Sequence, residues 1–333
     1  MARPGAYPEV VLLAGGVGGA RMAAGLEKAL PAGALTVVAN VGDDDRFHGL
    51  QVCPDLDTIL YTLAGVVDRG QGWGVERDGT RVLEQLGTLG APTWMKLGDR
   101  DMALHIYRTW RLSLGWRLTQ VMGEVSRRMG VESILLPASD DRVPTQVLTD
   151  SGMYPFQEWF VAHRTVPQVR ALRYLNADRA SITAEVIEAI AHAGLVVIAP
   201  SNPFLSIEPM LALRGMRDAL RARRAPCVAV SPLIGGKAVK GPLDRMMAAI
   251  GLPAGNGGIA QRYGDLIDGI VIDQQDADDR AALRDGGLPV FATRTLIGER
   301  ERAAILARQI IAWAHGLTVR AAGERCASHG ATS

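Results

Sequence analysis

The chain is poor in cysteine, has almost no net charge and contains no long apolar run. Its 333 residues include three cysteines, Cys53, Cys227 and Cys326. They are too few and too scattered for a disulfide framework or a metal knuckle, which points to a reducing compartment. Lys plus Arg number 36 against 35 Asp plus Glu, a net charge of +1, so no bulk field exists to grip a nucleic-acid backbone or an anionic membrane. The longest apolar runs, at 10–14 and 195–199, are about five residues, far below the roughly 18 that cross a bilayer. Residues 1–9 hold two prolines, one arginine and no apolar stretch, unlike a signal peptide. The six histidines show no zinc-ligand spacing, and no Gly-x-Ser-x-Gly elbow marks an esterase. These absences leave a cytoplasmic protein with neither a nucleic-acid nor a membrane partner.

What is present is a globular balance, 48% hydrophobic and 21% charged, with an excess of glycine: 38 residues, above the usual share of about 7%. Glycine in excess without low complexity signals tight turns and backbone that approaches a ligand closely. Val10–Ala14 reads as a strand buried on both faces, followed by Gly15-Gly16-Val17-Gly18-Gly19-Ala20 and a helix carrying Met22, Leu26 and Leu30. Pro31 and Gly33 stop that helix, and Leu35–Ala39 is a second buried strand, which completes a βαβ unit. The pattern returns later. Thr183 can cap a helix bearing Val186, Ile187 and Ile190, and strands are expected at 195–199, 227–230, 269–273 and 289–293. Helices are expected around 210–223 and 303–315. Apolar spacing from Asp99 to Val131 reads as a helical excursion over the rim of the sheet. The predicted fold is Rossmann-like α/β, an open and mostly parallel sheet with helices on both faces. A single domain is expected over 8–318, with a flexible tail over 319–333.

The motifs gather where strands end. Gly15, Gly16, Gly18 and Gly19 sit between a strand and a helix, where backbone N–H groups and the helix dipole can hold a phosphate, although a purely structural glycine turn has the same look. Ala20-Arg21 stands where a Walker A loop needs Gly-Lys-Ser/Thr, and Asn40 stands where a dinucleotide site needs an acid. Asp43, Asp44 and Asp45 follow the second strand, and Asp55, Asp57 and the Asp99-Arg100-Asp101 segment follow later. Carboxylates beside a phosphate loop repel an anionic substrate unless a divalent cation lies between them, and Mg2+ fits. Aspartate is also common in turns and at helix N-caps, a role open to Asp57 and Asp99. Pro200-Ser201-Asn202-Pro203 and Ser231-Pro232-Leu233-Ile234-Gly235-Gly236-Lys237 bring hydroxyls, an amide and a cation to the same rim, with Lys240 a second cation nearby. Trp73 could stack on an aromatic ligand or simply pack.

Taken together, the glycine loop through Arg21, Asn40-Val41-Gly42-Asp43-Asp44, His48-Gly49-Leu50, Pro54-Asp55-Leu56-Asp57-Thr58, Gly72-Trp73-Gly74, Leu97-Gly98-Asp99-Arg100-Asp101 and the two loops at 200 and 231 resemble the 2-phospho-L-lactate transferase family of coenzyme F420 biosynthesis. The resemblance implies transfer of a phospho-carboxylate unit, enolpyruvyl-, lactyl- or glyceryl-phosphate, from its guanosine diphosphate conjugate to the deazaflavin Fo, with release of GMP. It implies Mg2+ and a homodimer. The donor phosphates would lie on Gly15 to Arg21, with Mg2+ on Asp43 or Asp44. Asp55 and Asp57 would meet the ribityl chain of Fo or the metal, Asp99 and Arg100 would lie on the Fo side, and Ser201 and Asn202 would hold the nucleotide. The loop version here looks bacterial and tilts the donor towards enolpyruvyl; Glu208 departs from the glycine common in relatives. A related branch of the fold that binds nucleotide-sugars as a regulator is the competing reading, but it needs neither the Asp-rich loop nor the Pro-Asp-Leu-Asp segment.

Overall fold

The computed structural model describes residues 9–239 and 241–317. Seven strands form the main sheet: β1 (Val10–Ala14), β2 (Leu35–Ala39), β3 (Ile134–Pro137), β4 (Leu195–Ile198), β5 (Cys227–Val230), β6 (Gly269–Asp273) and β7 (Val290–Thr293). Their order is β7-β6-β5-β4-β1-β2-β3 and every pairing is parallel. Side chains alternate between two cores, as a sheet covered on both faces requires. Val10, Leu12, Val37, Val197 and Val271 enter one core, and Val11, Leu13, Val38, Val196 and Ile270 enter the other.

The first core is covered by α1 (Gly16–Ala29) and α2 (Pro54–Leu63), whose Met22, Leu26, Leu56 and Ile59 enter it. The predicted helical stretch divides at Leu114–Arg117 into α3 (Asp99–Ser113) and α4 (Leu118–Arg128). On α3, Met102 packs with Phe47, Val52, Leu83 and Leu97, while Leu104, Tyr107 and Leu112 pack against the first core, which Val121, Met122 and Val125 of α4 enter. The opposite core receives Val186 and Ile190 of α5 (Ala184–His192), whose Thr183 cap accepts from Val186 N–H at 3.2 Å as the sequence predicts. The closing helix is α6 (Arg300–Ala314).

Three differences from the sequence reading have local causes. The helix after β1 begins at Gly16, so most of the glycine motif forms the first turn of α1 instead of a separate loop. The helix expected over 210–223 is broken into Glu208–Leu211 and Met216–Ala222, because Gly215 adopts a left-handed φ of 85°. Strand β3 and an antiparallel sheet of Thr145–Thr149, Gly152–Pro155 and Val169–Tyr174 went unrecognised; β3 has four residues and ends in proline. The tail from 319 and Lys240 lie outside the described residues. Among the described residues no helix is long and apolar enough to cross a membrane.

Candidate functional site

Strand order reverses between β1 and β4, and in such sheets the crevice at the carboxyl ends of those strands is where ligands bind. A cleft of about 550 Å³ opens there. The turn after β1 is locked to the turn after β4. Ser201 Oγ accepts from Gly15 N–H at 3.3 Å and donates to Gly15 C=O at 2.7 Å. This closeness is why glycine is needed: a Cβ on Gly15 would lie 2.3 Å from Asp55 Oδ2, and one on Gly18 would lie 2.5 Å from the Pro200 carbonyl oxygen. Gly19 is likewise pressed against Ala14 and Ser201, so it serves packing. Gly16 N–H is already taken by Asp55 Oδ1 at 2.6 Å. The first helical bond of α1 runs from Gly19 N–H to Gly15 C=O, so the Val17 and Gly18 amides are left at the positive end of the helix, on the cleft wall.

Beside that end, Asp43, Asp55 and Asp57 line the same cleft, all of them buried. Asn40, fully buried behind them, organises the group. Its Nδ2 donates to Asp55 Oδ2 at 3.0 Å and to the Leu205 carbonyl at 3.2 Å, while its Oδ1 accepts from Gly42 N–H at 2.8 Å. Asp44 sits behind the wall, and its Oδ1 is buried without a hydrogen-bond partner. Burial, and then the charges of Asp55 and Asp44, push the Asp43 carboxyl well above its ordinary range. Burial does the same to Asp44 despite the Cys53 thiol and Arg108. Burial also lifts Asp55 to about 6, against the hydrogen bonds from Asn40 and Gly16. The buried carboxylates of Asp43 and Asp55 on the cleft wall offer the oxygen donors that a hard divalent cation such as Mg2+ takes.

Asp57 differs from its neighbours. Pro54 at the first turn places Asp55 and Asp57 at the amino end of α2, and Arg108 from α3 meets Asp57 with both terminal nitrogens. Nη1 of Arg108 also donates to the Gln51 carbonyl at 3.2 Å. His105 lies between two carboxylates, with Nδ1 3.6 Å from Asp57 and Nε2 3.4 Å from Asp101. Tyr61 donates to Asp101 at 2.6 Å. Asp57, Asp101 and His105 thus offer ligand atoms within 4.8 Å of one another, but Arg108 and Tyr61 already engage both acids.

The remaining walls are mixed. Arg21 lines the cleft and reaches the Ile297 carbonyl at 3.4 Å. Ser231 and Asn202 line it too; the Asn202 side chain caps Phe204 and Leu205, and Ser231 Oγ accepts from Leu233 N–H. Trp73, 40% exposed, and the tilted pair Phe156 and Phe160 supply aromatic faces.

Three expected residues lie elsewhere. Asp99 accepts from Val82 N–H at 2.9 Å and so caps the Arg81–Thr88 helix, which is the helix-capping role that aspartate often takes. Arg100 is exposed and turned to the Glu76 carbonyl, while Asp101, two positions past Asp99, faces the cleft. Lys237 is exposed in a tight two-residue strand pair and is not on the wall. Glu208 is buried and pairs with Arg217 and Arg262, so it is neutralised away from the carboxylate wall. Sequence reasoning missed Tyr61, His105 and Arg108 and named Asp101 only within its acidic cluster. A signal was available: Asp101, His105 and Arg108 recur at four and three within the predicted helical stretch and so share a face, whereas the α2 helix that joins Asp57 to Tyr61 was not predicted.

Comparison with known proteins gives one consistent result. Residues 10–292 match the family model described as 2-phospho-L-lactate transferase CofD. A phosphoenolpyruvate transferase of Streptomyces griseus is 39% identical over 308 residues, covering 91% of this chain and 97% of that protein. One from Kitasatospora aureofaciens is 41% identical over 312 residues, covering 92% and 97%. One from Mycolicibacterium smegmatis is 37% identical over 306 residues, covering 86% and 94%. A crystal structure of a Bacillus halodurans protein of the UPF0052 family superposes with a TM-score of 0.60 at 18% identity, covering 91% of this chain and 98% of that one. That last likeness speaks for the fold alone.

Proposed function

The chain belongs to the 2-phospho-L-lactate transferase CofD family, and from that premise we propose that it moves an enolpyruvyl-phosphate unit from a guanosine diphosphate conjugate to the deazaflavin Fo, releasing GMP, in coenzyme F420 biosynthesis. The names of the similar actinobacterial proteins favour the enolpyruvyl donor over the lactyl and glyceryl ones. One observation carries the reading: three buried carboxylates and the positive end of α1 line a single cleft, with Asp55 bonded directly to that end. An anionic diphosphate suits the Val17 and Gly18 amides and Arg21. Asp43, with Asp55 beside it, would hold Mg2+, and the bound ion would supply the positive charge that lets a diphosphate approach acids.

In the transfer, a ribityl hydroxyl oxygen of Fo bonds to the phosphorus that carries the enolpyruvyl group, and the bond from that phosphorus to the GMP oxygen breaks in line. GMP leaves with the electron pair. The hydroxyl proton passes to a wall carboxylate. The protein's larger task is placement, since such transfers depend on position and charge more than on a strong base. Trp73, Phe156 and Phe160 offer flat apolar faces to the deazaflavin ring. The test is to incubate the protein with Fo, Mg2+ and each of the three donors in turn, and to identify the product by mass. Dehydro-F420-0 from the enolpyruvyl donor is expected; no product from any donor would end the proposal.

A further inference from the structure

Arg108 is a fully buried cation on α3. Its guanidinium joins three elements: Asp57 of α2, the Gln51 carbonyl of the hairpin Asp45–Phe47/Leu50–Val52, and α3 itself. Stability alone does not explain such a pair. Desolvating two charges costs several kcal/mol, and a well-packed apolar pair of similar volume is often equally stable or better. The neighbouring side chains, Met122 Sδ and His105 Nδ1, lie 3.7 Å and 3.4 Å from its terminal nitrogens, so the surroundings are compact enough to accept an apolar replacement. What the fork supplies is geometry. Both Asp57 oxygens are engaged by Arg108, which does not line the cleft as Asp57 does, and this fork fixes the carboxylate plane. Among the described residues Asp43 and Asp55 receive no such fork from a cation; amides donate to them, and the two carboxyls bond to each other.

Resting on the transferase reading, we propose a division of labour on the wall: Asp57, fixed by the positioning residue Arg108, accepts the hydrogen of the attacking hydroxyl and aligns it, while Asp43 and Asp55 stay free for the cation. Arg108 acts through Asp57 and touches no substrate. A displacement of about 1 Å in a reacting group costs on the order of 100-fold in rate, which sets the expected effect of losing the fork.

The test uses two variants and separates kcat from KM. Arg108→Lys keeps the charge but cannot fork. It is expected to lower kcat about 100-fold, with donor KM and the Mg2+ requirement within about threefold of the parent. The charge-matched double variant Asp57→Asn/Arg108→Met is expected to melt within a few degrees of the parent, to bind GDP with Mg2+ normally in calorimetry, and to turn over as slowly. The division of labour is overturned if Arg108→Lys retains kcat, if its loss falls on donor KM or Mg2+ affinity, or if the double variant either unfolds or keeps its turnover. Failure of the parent itself to form product would instead refute the transferase reading, so the two failures are distinct.

Discussion

Removing divalent metal should make the protein less stable as pH rises from 5 to 7, which is the reverse of ordinary acid denaturation. The perturbation is a pH series in EDTA, and its size follows from Asp55. That carboxyl titrates at about 6 in the folded protein against 3.8 when unperturbed, with burial as the main cause. Between those values the folded state holds a proton that the unfolded state has released, so unfolding free energy falls as pH rises, and the loss is complete about one unit above the folded value. From pH 5 to 7 the Asp55 contribution is about 1.4 kcal/mol, or roughly 2 °C in Tm for a chain of this length. Asp43, raised for the same reason and by the charges beside it, acts in the same direction. The salt-bridged acids do not cancel it. Glu124, lowered to about 2 by Arg128 and Tyr107, contributes stability that is complete above its unfolded value and is lost only at lower pH. Thermal unfolding of the parent and of Asp55→Asn over this range checks the reasoning. The parent is expected to lose a few degrees and the variant markedly less, and millimolar Mg2+ should restore Tm at pH 7.5 but not at pH 5. A parent Tm that rises from pH 5 to 7 in EDTA, or a Mg2+ effect equal at both ends, would refute it.

Other outcomes follow from the same geometry. Gly18→Val forces a side chain onto the Pro200 carbonyl and should weaken GDP binding by tenfold or more in calorimetry. Asp43→Asn removes the carboxylate best placed for the cation and should abolish the Mg2+-dependent part of GDP binding while raising Tm in EDTA at pH 7.5. Phe160→Ala should raise the KM for Fo several-fold with donor KM unchanged, as read from initial rates with Fo varied. Lys237→Ala and Arg100→Ala, whose side chains lie off the cleft wall, should leave kcat and both KM values within about twofold.

The fold was legible because buried parallel strands are short continuous apolar runs, and β1, β2, β4, β5 and β6 each end in a residue that cannot continue them or a turn that follows. Strand β3 escaped because Ile134 is exposed and Pro137 closes the run after four residues. The antiparallel sheet escaped because its strands mix exposed arginines with apolar positions, as Val169–Tyr174 does. At the site, Gly15, Asp43 and Ser201 could be placed together because each follows a strand end, and strand ends converge at the switch point; Asp55 and Asp57 were placed there by the family resemblance of the Pro-Asp-Leu-Asp segment. Asp99 was read as a site residue in place of Asp101 because a run of alternating charges at a helix start does not say which face turns inward. Arg108 was out of reach for a different reason. A lone arginine in a helix reads as solvated, and only the tertiary fold shows it buried against Asp57.

A crystal structure of the protein with GDP and Mg2+ tests the central claim most directly. The diphosphate should lie within hydrogen-bond distance of the Val17 and Gly18 amides, with the metal bound by Asp43 between that diphosphate and the carboxylate wall. A nucleotide seated elsewhere on the protein, or one in the cleft with no metal near Asp43, would contradict it.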